Sequence, residues 1–422
     1  MTRLRVASLA FLTLLASAPA AFAQTQDTPM DEPTALEPAG AFQGAGLLII
    51  KTPDERFKWW LDGRLNIDSA FYLKSDNNLA NGIELRRARL ATNMVLWKDW
   101  AAQFDVDYVD NAVDVKDAWI GYIGVPNTLV RLGNFKTPFG LETLTSSRYI
   151  TFMERSLIDN FSPDRHIGVG ASHWGKRYTA AGGFFGPELA DTVDTIGQDQ
   201  TYSLIGRVTA LPYANGDNVV HLGAAVAWMQ PKAATSADLS DANRWRVRAR
   251  PETNVNRGRF ITTPQVKNVD HADLYGAEAA ATYGSLSVQA EYNHEVLKRT
   301  ASALPEPAYD GGYAFVSWFP TGDHRPYDRA SGEFGRVLPK SSRGAIELAV
   351  RYSMMDLNDP SAAIAGGLEK IVTLGVNWYC NANVRIMTNY LFVNNDNNAK
   401  GDRSYKPGDD FNVLQMRLAV MF

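Results

Sequence analysis

From Phe57 the chain alternates strictly. Phe57, Trp59, Leu61, Gly63, Leu65, Ile67, Ser69, Phe71 and Leu73 fall on one face of an extended segment. Lys58, Trp60, Asp62, Arg64, Asn66, Asp68, Ala70, Tyr72 and Lys74 fall on the other. Side chains on a strand point to opposite faces with period two. A run of about seventeen residues is too long for an ordinary globular strand and suits a tilted strand that crosses a membrane and projects beyond it. The pattern then repeats. Leu90, Thr92, Met94 and Leu96 oppose Arg87, Arg89, Ala91 and Asn93. Trp100, Ala102, Phe104, Val106 and Tyr108 oppose Ala101, Gln103, Asp105 and Asp107. At the end of the chain Leu414, Met416, Leu418, Val420 and Phe422 oppose Gln415 and Arg417.

The connections come in two kinds. Short ones fall at Lys98–Asp99, Val125–Asn127, Gly175–Arg177, Pro212–Asp217, Tyr283–Ser285 and Cys380–Asn383. Long polar ones fall near 75–81, 110–114, 136–165, 187–199, 231–270, 299–308, 356–367 and 395–409. Counting strands between them predicts an all-β, antiparallel barrel of sixteen strands with both ends on the short-turn side. An even number with short periplasmic turns and longer external loops is the rule for single-chain bacterial barrels. Residues 320–342 break the pattern, being long where a short turn is due. Either they fold into the lumen or the count is off by two, which leaves eighteen strands open. The apolar face could equally be the core of a soluble sandwich. The long strands, the exported N-terminus and the terminal Phe422 favour the barrel, whose final strand would be read by the barrel-assembly machinery.

Residues 1–23 carry Arg3 and Arg5, a mostly apolar stretch over 6–18 and the small-x-small site Ala21-Phe22-Ala23, the three parts of a secretory signal peptide. Cleavage would start the mature chain at Gln24, placing the protein in the bacterial outer membrane. Residues 24–46 are rich in Pro, Ala, Gly and acid, without apolar period, and read as a flexible leader. Residues 47–422 form the barrel domain. The 422-residue chain has a formal net charge of −4. Six acids against two bases lie between residues 27 and 56, so most of the acidic excess sits outside the folded part. The acidic balance argues against nucleic acid as a partner. A single cysteine, Cys380, excludes an intramolecular disulfide.

The order and spacing of several segments resemble the phosphate-selective porin O/P family over nearly the whole mature length. They are LLIIKT (47–52), FKWWLDGRL (57–65), ELRRARL (84–90), KDWAAQFDVDY (98–108), VKDAWIGY (115–122) and RLGNFKTPFGLETLTSSRYITFMER (131–155). RWRVRARPE (244–252), WFPTGDHRPY (318–327) and ELAVRYSMMDLND (347–359) complete the set. The resemblance implies homotrimers of sixteen-stranded barrels, loops folded inward, and an arginine ladder that leads small anions to a narrow throat. It also offers the turn at 320–342 as an inward fold.

A pore selects by the side chains at its constriction, and the planar fork of arginine suits phosphate oxygens. Arg64 lies on the polar face of the first long strand and matches the family's throat arginine; otherwise it is a lumenal charge paired with Asp62 or Asp68. Arg86 and Arg87 match a family pair. Neighbours on a strand point opposite ways, so both reach the lumen only across a bulge. The apolar set does switch from odd positions (Ile83, Leu85) to even ones (Leu90, Met94). Arg148, in the constriction loop expected at about 136–165, and Asp117 stand where the family places a basic and an acidic throat residue. Arg244, Arg246, Arg248 and Arg250 recur with period two before Pro251, a basic track for a vestibule loop at about 231–270, which Arg257 and Arg259 would extend. Lys51 and Lys58 suggest a periplasmic exit cluster. The other partner expected is outer-membrane lipid. Lumenal Asp62, Asp68, Asp105 and Asp107 oppose these charges, so a general or weakly cation-preferring porin is the nearest alternative. A secreted soluble β-rich binding protein is a more distant one.

Nothing points to an enzyme, a metal or a cofactor. Gly170-Ala171-Ser172-His173-Trp174 lacks the closing glycine of a nucleophile elbow, and the six histidines show no metal-ligand spacing.

Overall fold

The computed structural model describes residues 47–189, 200–231, 243–300, 304–401 and 405–422. The expected signal peptide and leader lie outside the described residues. A short β1 (Leu47–Lys51) precedes the long strands. β2 (Phe57–Leu73), β3 (Gly82–Leu96), β4 (Trp100–Asp107), β5 (Asp114–Tyr122) and β6 (Thr128–Lys136) lead into the longest inward loop. β7 (Arg165–Trp174), β8 (Tyr178–Phe185), β9 (Ser203–Asn215) and β10 (Asn218–Met229) follow. A two-residue ladder, β11 (Arg248–Ala249) with β12 (Ile261–Thr262), lies in the next loop. Then come β13 (Val269–Tyr283), β14 (Leu286–Arg299) and β15 (Ala308–Trp318). A small hairpin, β16 (Tyr327–Asp328) with β17 (Glu333–Phe334), precedes β18 (Ala345–Asp359), β19 (Ile364–Tyr379), β20 (Val384–Asn395) and β21 (Phe411–Met421).

Each long strand pairs antiparallel with its neighbours, and β21 pairs with β2 from Leu73↔Asn412 to Arg64↔Met421, closing a sixteen-stranded barrel. Closure leaves no strand edge with unpaired backbone groups in lipid. Phe422 is the last rung: its N–H donates to Gly63 O (3.1 Å) and its O accepts from Gly63 N–H (2.8 Å). β2 extends past that point, and β1 takes up its free edge through Leu47↔Leu61 and Lys51↔Lys58. The period-two reading did not foresee this seventeenth strand, whose run LLIIK does not alternate. The hairpin expected across 356–367 is shorter, because β18 continues to Asp359 and β19 resumes at Ile364. Asp359 caps the intervening turn through the N–H groups of Ser361 and Ala362.

The alternation holds along the long strands except where a bulge shifts the register. In β2 Asp62, Arg64, Asn66 and Asp68 are buried in the lumen while Leu65 faces outward. Exposed aromatics gather near the short turns, with Trp97, Trp100, Tyr178, Tyr283, Trp318 and Trp378 among them. Amphipathic rings at that level form the interfacial girdle of a membrane barrel. The β5–β6 contact depends on Gly133, whose φ is +133°. A Cβ there would lie 2.3 Å from Ala118 O and 2.7 Å from Trp119 Cα. Strain at such dihedrals costs roughly 1–3 kcal/mol before the clash is counted. Gly133→Val should therefore sharply lower the yield of folded, heat-modifiable barrel on refolding; a normal yield would show that β5 and β6 can separate there at no cost.

Candidate functional site

The segment 137–164 leaves β6, crosses the lumen to the far wall, and returns to β7. Its backbone groups, removed from water inside the barrel, need partners. Wall side chains supply them. Arg385 donates to the carbonyls of Ile150 (2.8 Å) and Thr151 (2.9 Å), and Asn389 Oδ1 accepts from Met153 N–H (2.8 Å). Arg417 donates to Met153 O, and Arg351 donates to Glu154 O through both terminal nitrogens (3.2 Å each). Gly140 (φ 74°) turns the chain into a single helical turn, α1 (Leu141–Leu144). The N–H groups of Leu141 and Glu142 donate to the Glu291 carboxylate at 2.7 Å each. Phe139, Phe152, Leu157, Ile158 and Phe161 are buried against lumen residues that include Leu274, Tyr313 and Phe315. The β13–β21 half of the lumen is thereby filled, and the β2–β9 half stays open.

Two further segments narrow the opening. The turn at 319–344 folds inward, the one of the two readings of its length that keeps sixteen strands. Arg207 donates to Gly332 O (2.9 Å), His221 Nδ1 is 2.6 Å from Tyr327 Oη, and Phe334 packs with Leu141 of the constriction loop. In the loop between β10 and β13, the segment 243–268 reaches across to β2, β3 and β18. Tyr72 Oη meets Thr253 Oγ1 (2.8 Å), Asn254 donates to Glu84 (2.8 Å), and Glu252 descends to pair with Arg351. Residues 232–242 of the expected vestibule lie outside the described residues.

The remaining passage is a cavity of about 180 Å³. Arg64, Arg87, Arg89, Arg131, Lys136, Arg148, Arg155, Arg165 and Arg207 line it, against Asp105, Asp117, Asp164 and Glu333. Arg64 donates to Ser147 Oγ (2.8 Å) and pairs with Asp105 (3.3 Å) rather than with Asp62 or Asp68. Arg148 takes Asp62 instead. Asp117 is held by Arg165 (2.8 Å). The bulge expected between Arg86 and Arg87 is present: Asn66 pairs with Arg87 and Ile67 with Leu85, so Arg86 is the extra residue. Both arginines turn inward, where the loop's own Glu154 meets them at 2.9 Å (Arg86) and 3.6 Å (Arg87). Arg87 lines the cavity, and its Nε and Nη1 are buried without a hydrogen-bond partner.

The basic track keeps its period. Val247 and Ala249 are buried, Arg246 and Arg248 are exposed, and Arg244 and Arg250 are half-buried. Burial, with repulsion from Arg259, Arg86 and Arg257, lowers the pKa of Arg250, so the foot of the track adjoins the lumenal pair. Arg257 is taken by Asp110 (2.7 Å). Lys51 and Lys58 are register partners at the short-turn end; Lys51 pairs with Glu55 (2.8 Å) and Lys58 lies over Trp60.

Residues 60–422 match the family of phosphate-selective porins O and P. The chain belongs to that family. It is 27% identical to Porin O of Pseudomonas aeruginosa over 416 residues, 89% of this chain and 91% of that protein. It is 30% identical over 366 residues to an uncharacterized protein of Caulobacter vibrioides, covering 82% of this chain and 70% of that one. Among solved structures it resembles OmpT of Vibrio cholerae (TM-score 0.55, 13% identity, 89% of this chain and all of that one). It also resembles an anion-selective porin from Comamonas acidovorans (TM-score 0.54, 14% identity, 87% and 100%). At those identities the likeness concerns the fold. The protein is an outer-membrane porin, a channel and not an enzyme.

Sequence reasoning missed several residues of this porin's lumen. Arg351, Arg385 and Arg417 are almost fully buried and carry the constriction loop rather than the passage. Arg131 lines the passage, stacked on Phe135 at 4.4 Å, and was not singled out. Each stands at a lumenal position of an alternating strand, which was the available signal. Glu333, on the inward turn, faces Lys136, Arg131 and Arg207 with Asp328 nearby. Burial pushes its pKa up to about 7 against the pull of Lys136 and Arg207. Above that pH it adds a negative charge to the passage; below it the charge is gone. Anion preference should thus rise as pH falls through about 7, read as the reversal potential in a salt gradient. A Glu333→Gln porin should show no such step, and an identical step in both would remove Glu333 from the passage.

Proposed function

We propose that the porin conducts small anions, with inorganic phosphate or short polyphosphates as the physiological class, along a graded series of basic side chains. The observation that carries this reading is the imbalance of the passage: nine cationic side chains face four acids in one narrow cavity. Arg131 and Lys136 have no carboxylate within salt-bridge distance among the described residues. Lys136 instead donates to the carbonyls of Thr143 and Leu144. Uncompensated charge between low-dielectric walls focuses potential and concentrates anions. Ser146, Ser147 and the guanidiniums that line the cavity supply hydrogen bonds for oxyanion oxygens.

On this reading Arg244, Arg246, Arg248 and Arg250 collect anions at the mouth. Arg64, Arg87 and Arg148 form the throat with Asp117, which hastens release, while Arg86 stands behind them. Lys51 and Lys58 mark the exit. Assembly as a homotrimer and export through the N-terminal signal belong to the same proposal. A trimer form is described for OmpT of Vibrio cholerae, which shares the fold at a TM-score of 0.50.

The test is chloride conductance in a planar bilayer, titrated with phosphate. An anion-signed reversal potential, with chloride current blocked at submillimolar to millimolar phosphate, is the expected result. Linear, unblocked current would make the protein a general diffusion porin, its lumenal aspartates cancelling the arginines.

A further inference from the structure

Glu154 of the constriction loop lies among three lumenal guanidiniums. Its Oε1 accepts from Arg86 Nε (2.9 Å) and Arg417 Nη2 (2.6 Å), and its Oε2 accepts from Arg86 Nη2 (2.9 Å). Arg87 Nη2 stands 3.6 Å from Oε2. Arg417 is further shared with Asp68 (2.7 and 2.6 Å). Three guanidiniums therefore converge on one carboxylate supplied by the protein itself. Arg86 gives it two nitrogens and Arg417 divides its donors among Glu154, Asp68 and the Met153 carbonyl, whereas Arg87 borders the passage with Nε and Nη1 buried and unpartnered among the described residues.

We propose that Glu154 sets the porin's anion selectivity as a built-in counter-anion, occupying the site formed by Arg86, Arg87 and Arg417 so that a permeating oxyanion meets only the edge of Arg87 that borders the passage. The inference rests on the anion-channel reading above. The reason is kinetic. Conduction needs sites that bind weakly enough to release. Three convergent arginines offset by Asp68 alone would present two net charges and a complete bidentate fork, a trap for a doubly charged oxyanion. With Glu154 in place the cluster carries a single net charge.

The alternative role, a tether for the loop, has other supports. The main-chain carbonyl of Glu154 accepts from Arg351, that of Met153 from Arg417, and those of Ile150 and Thr151 from Arg385. None of these contacts needs the Glu154 carboxylate. Neutralising it therefore changes the charge of the site while leaving the loop held.

The experiment compares wild type, Glu154→Gln and Glu154→Asp in planar bilayers, with chloride as carrier and inorganic phosphate as blocker. Liposome swelling with a neutral pentose reports the width of the passage. Glu154→Gln should lower the half-blocking phosphate concentration by about tenfold or more, the effect of freeing charge-assisted donors. Pentose entry should not change, and Glu154→Asp should block like wild type. An unchanged block in Glu154→Gln overturns the proposal. So does a changed block accompanied by changed pentose entry, because that marks a displaced loop. A wild type without phosphate block would sink the anion-channel reading separately. The Gln variant still decides in that case, since a block appearing only there supports the counter-anion role and a block in neither removes it.

Discussion

Arg351→Met should raise single-channel conductance several-fold, add open-channel noise and weaken selectivity, while the barrel itself still assembles. Arg351 is 1% exposed and joins two loops. It pairs with Glu142 of the constriction loop (3.1 Å), donates twice to Glu154 O and pairs with Glu252 of the vestibule loop. Its guanidinium also lies over the Phe152 ring at 4.4 Å. Methionine keeps much of the volume and none of the charge. Glu142 and Glu252 are then left buried and uncompensated, a loss of about 3–5 kcal/mol for a broken buried pair. Burial raises the pKa of Glu142, and Arg351 opposes that rise. Arg351 bridges both loops, so its loss strips each of them of a buried partner at once, whereas the sixteen-strand ladder is left intact. Conductance traces and heat-modifiable gel mobility measure the two halves of the claim. Wild-type conductance and noise in Arg351→Met would show that the remaining wall contacts hold both loops without it.

Truncating the throat should act in the opposite way, leaving the loop in place and removing affinity. Arg64→Ala and Arg87→Ala should each raise the half-blocking phosphate concentration by roughly tenfold or more, since a hydrogen bond to a charged group is worth about 1.5–3 kcal/mol. Arg64 holds its place through Ser147 and Asp105 and keeps a buried Nε without a partner. Arg87 has two such nitrogens. Both line the same cavity, so the double variant should lose less than the two single effects combined. Arg343→Ala, an exposed residue beside a short turn, controls for net charge. Block constants that do not move in either single variant would place the phosphate site elsewhere along the passage.

How much of this was legible in the sequence follows from which interactions are local. Strand phase was legible, because lipid and lumen sort side chains with period two and the terminal run to Phe422 shows that phase without a partner strand. The bulge at Arg86 was legible too, since an extra residue must shift the apolar set from odd to even. The excess length of 320–342 left two readings, an inward fold or a strand count off by two, and did not choose between them. Partner choice was not legible. Arg64 takes Asp105, forty-one positions away, rather than the nearby Asp62 or Asp68, because β3 and β4 bring Asp105 across while the constriction loop delivers Arg148 to Asp62. The division of labour among arginines was equally hidden. Arg351, Arg385 and Arg417 have the same strand context as Arg64, yet the first three hold a loop and the last faces the passage.

The sequence by itself determined the strand phase and the charges carried on the polar faces, which follow from short-range alternation, while the exported N-terminus and the terminal Phe422 favoured a barrel and the family resemblance supplied the inward loops. Only the tertiary structure decided which half of the lumen is filled and which stays open. It also decided which arginines carry backbone carbonyls, which meet carboxylates and which border the open cavity. The physical reason is distance. A salt bridge in a barrel forms between residues tens to hundreds of positions apart, and its strength depends on an alignment that no local pattern records.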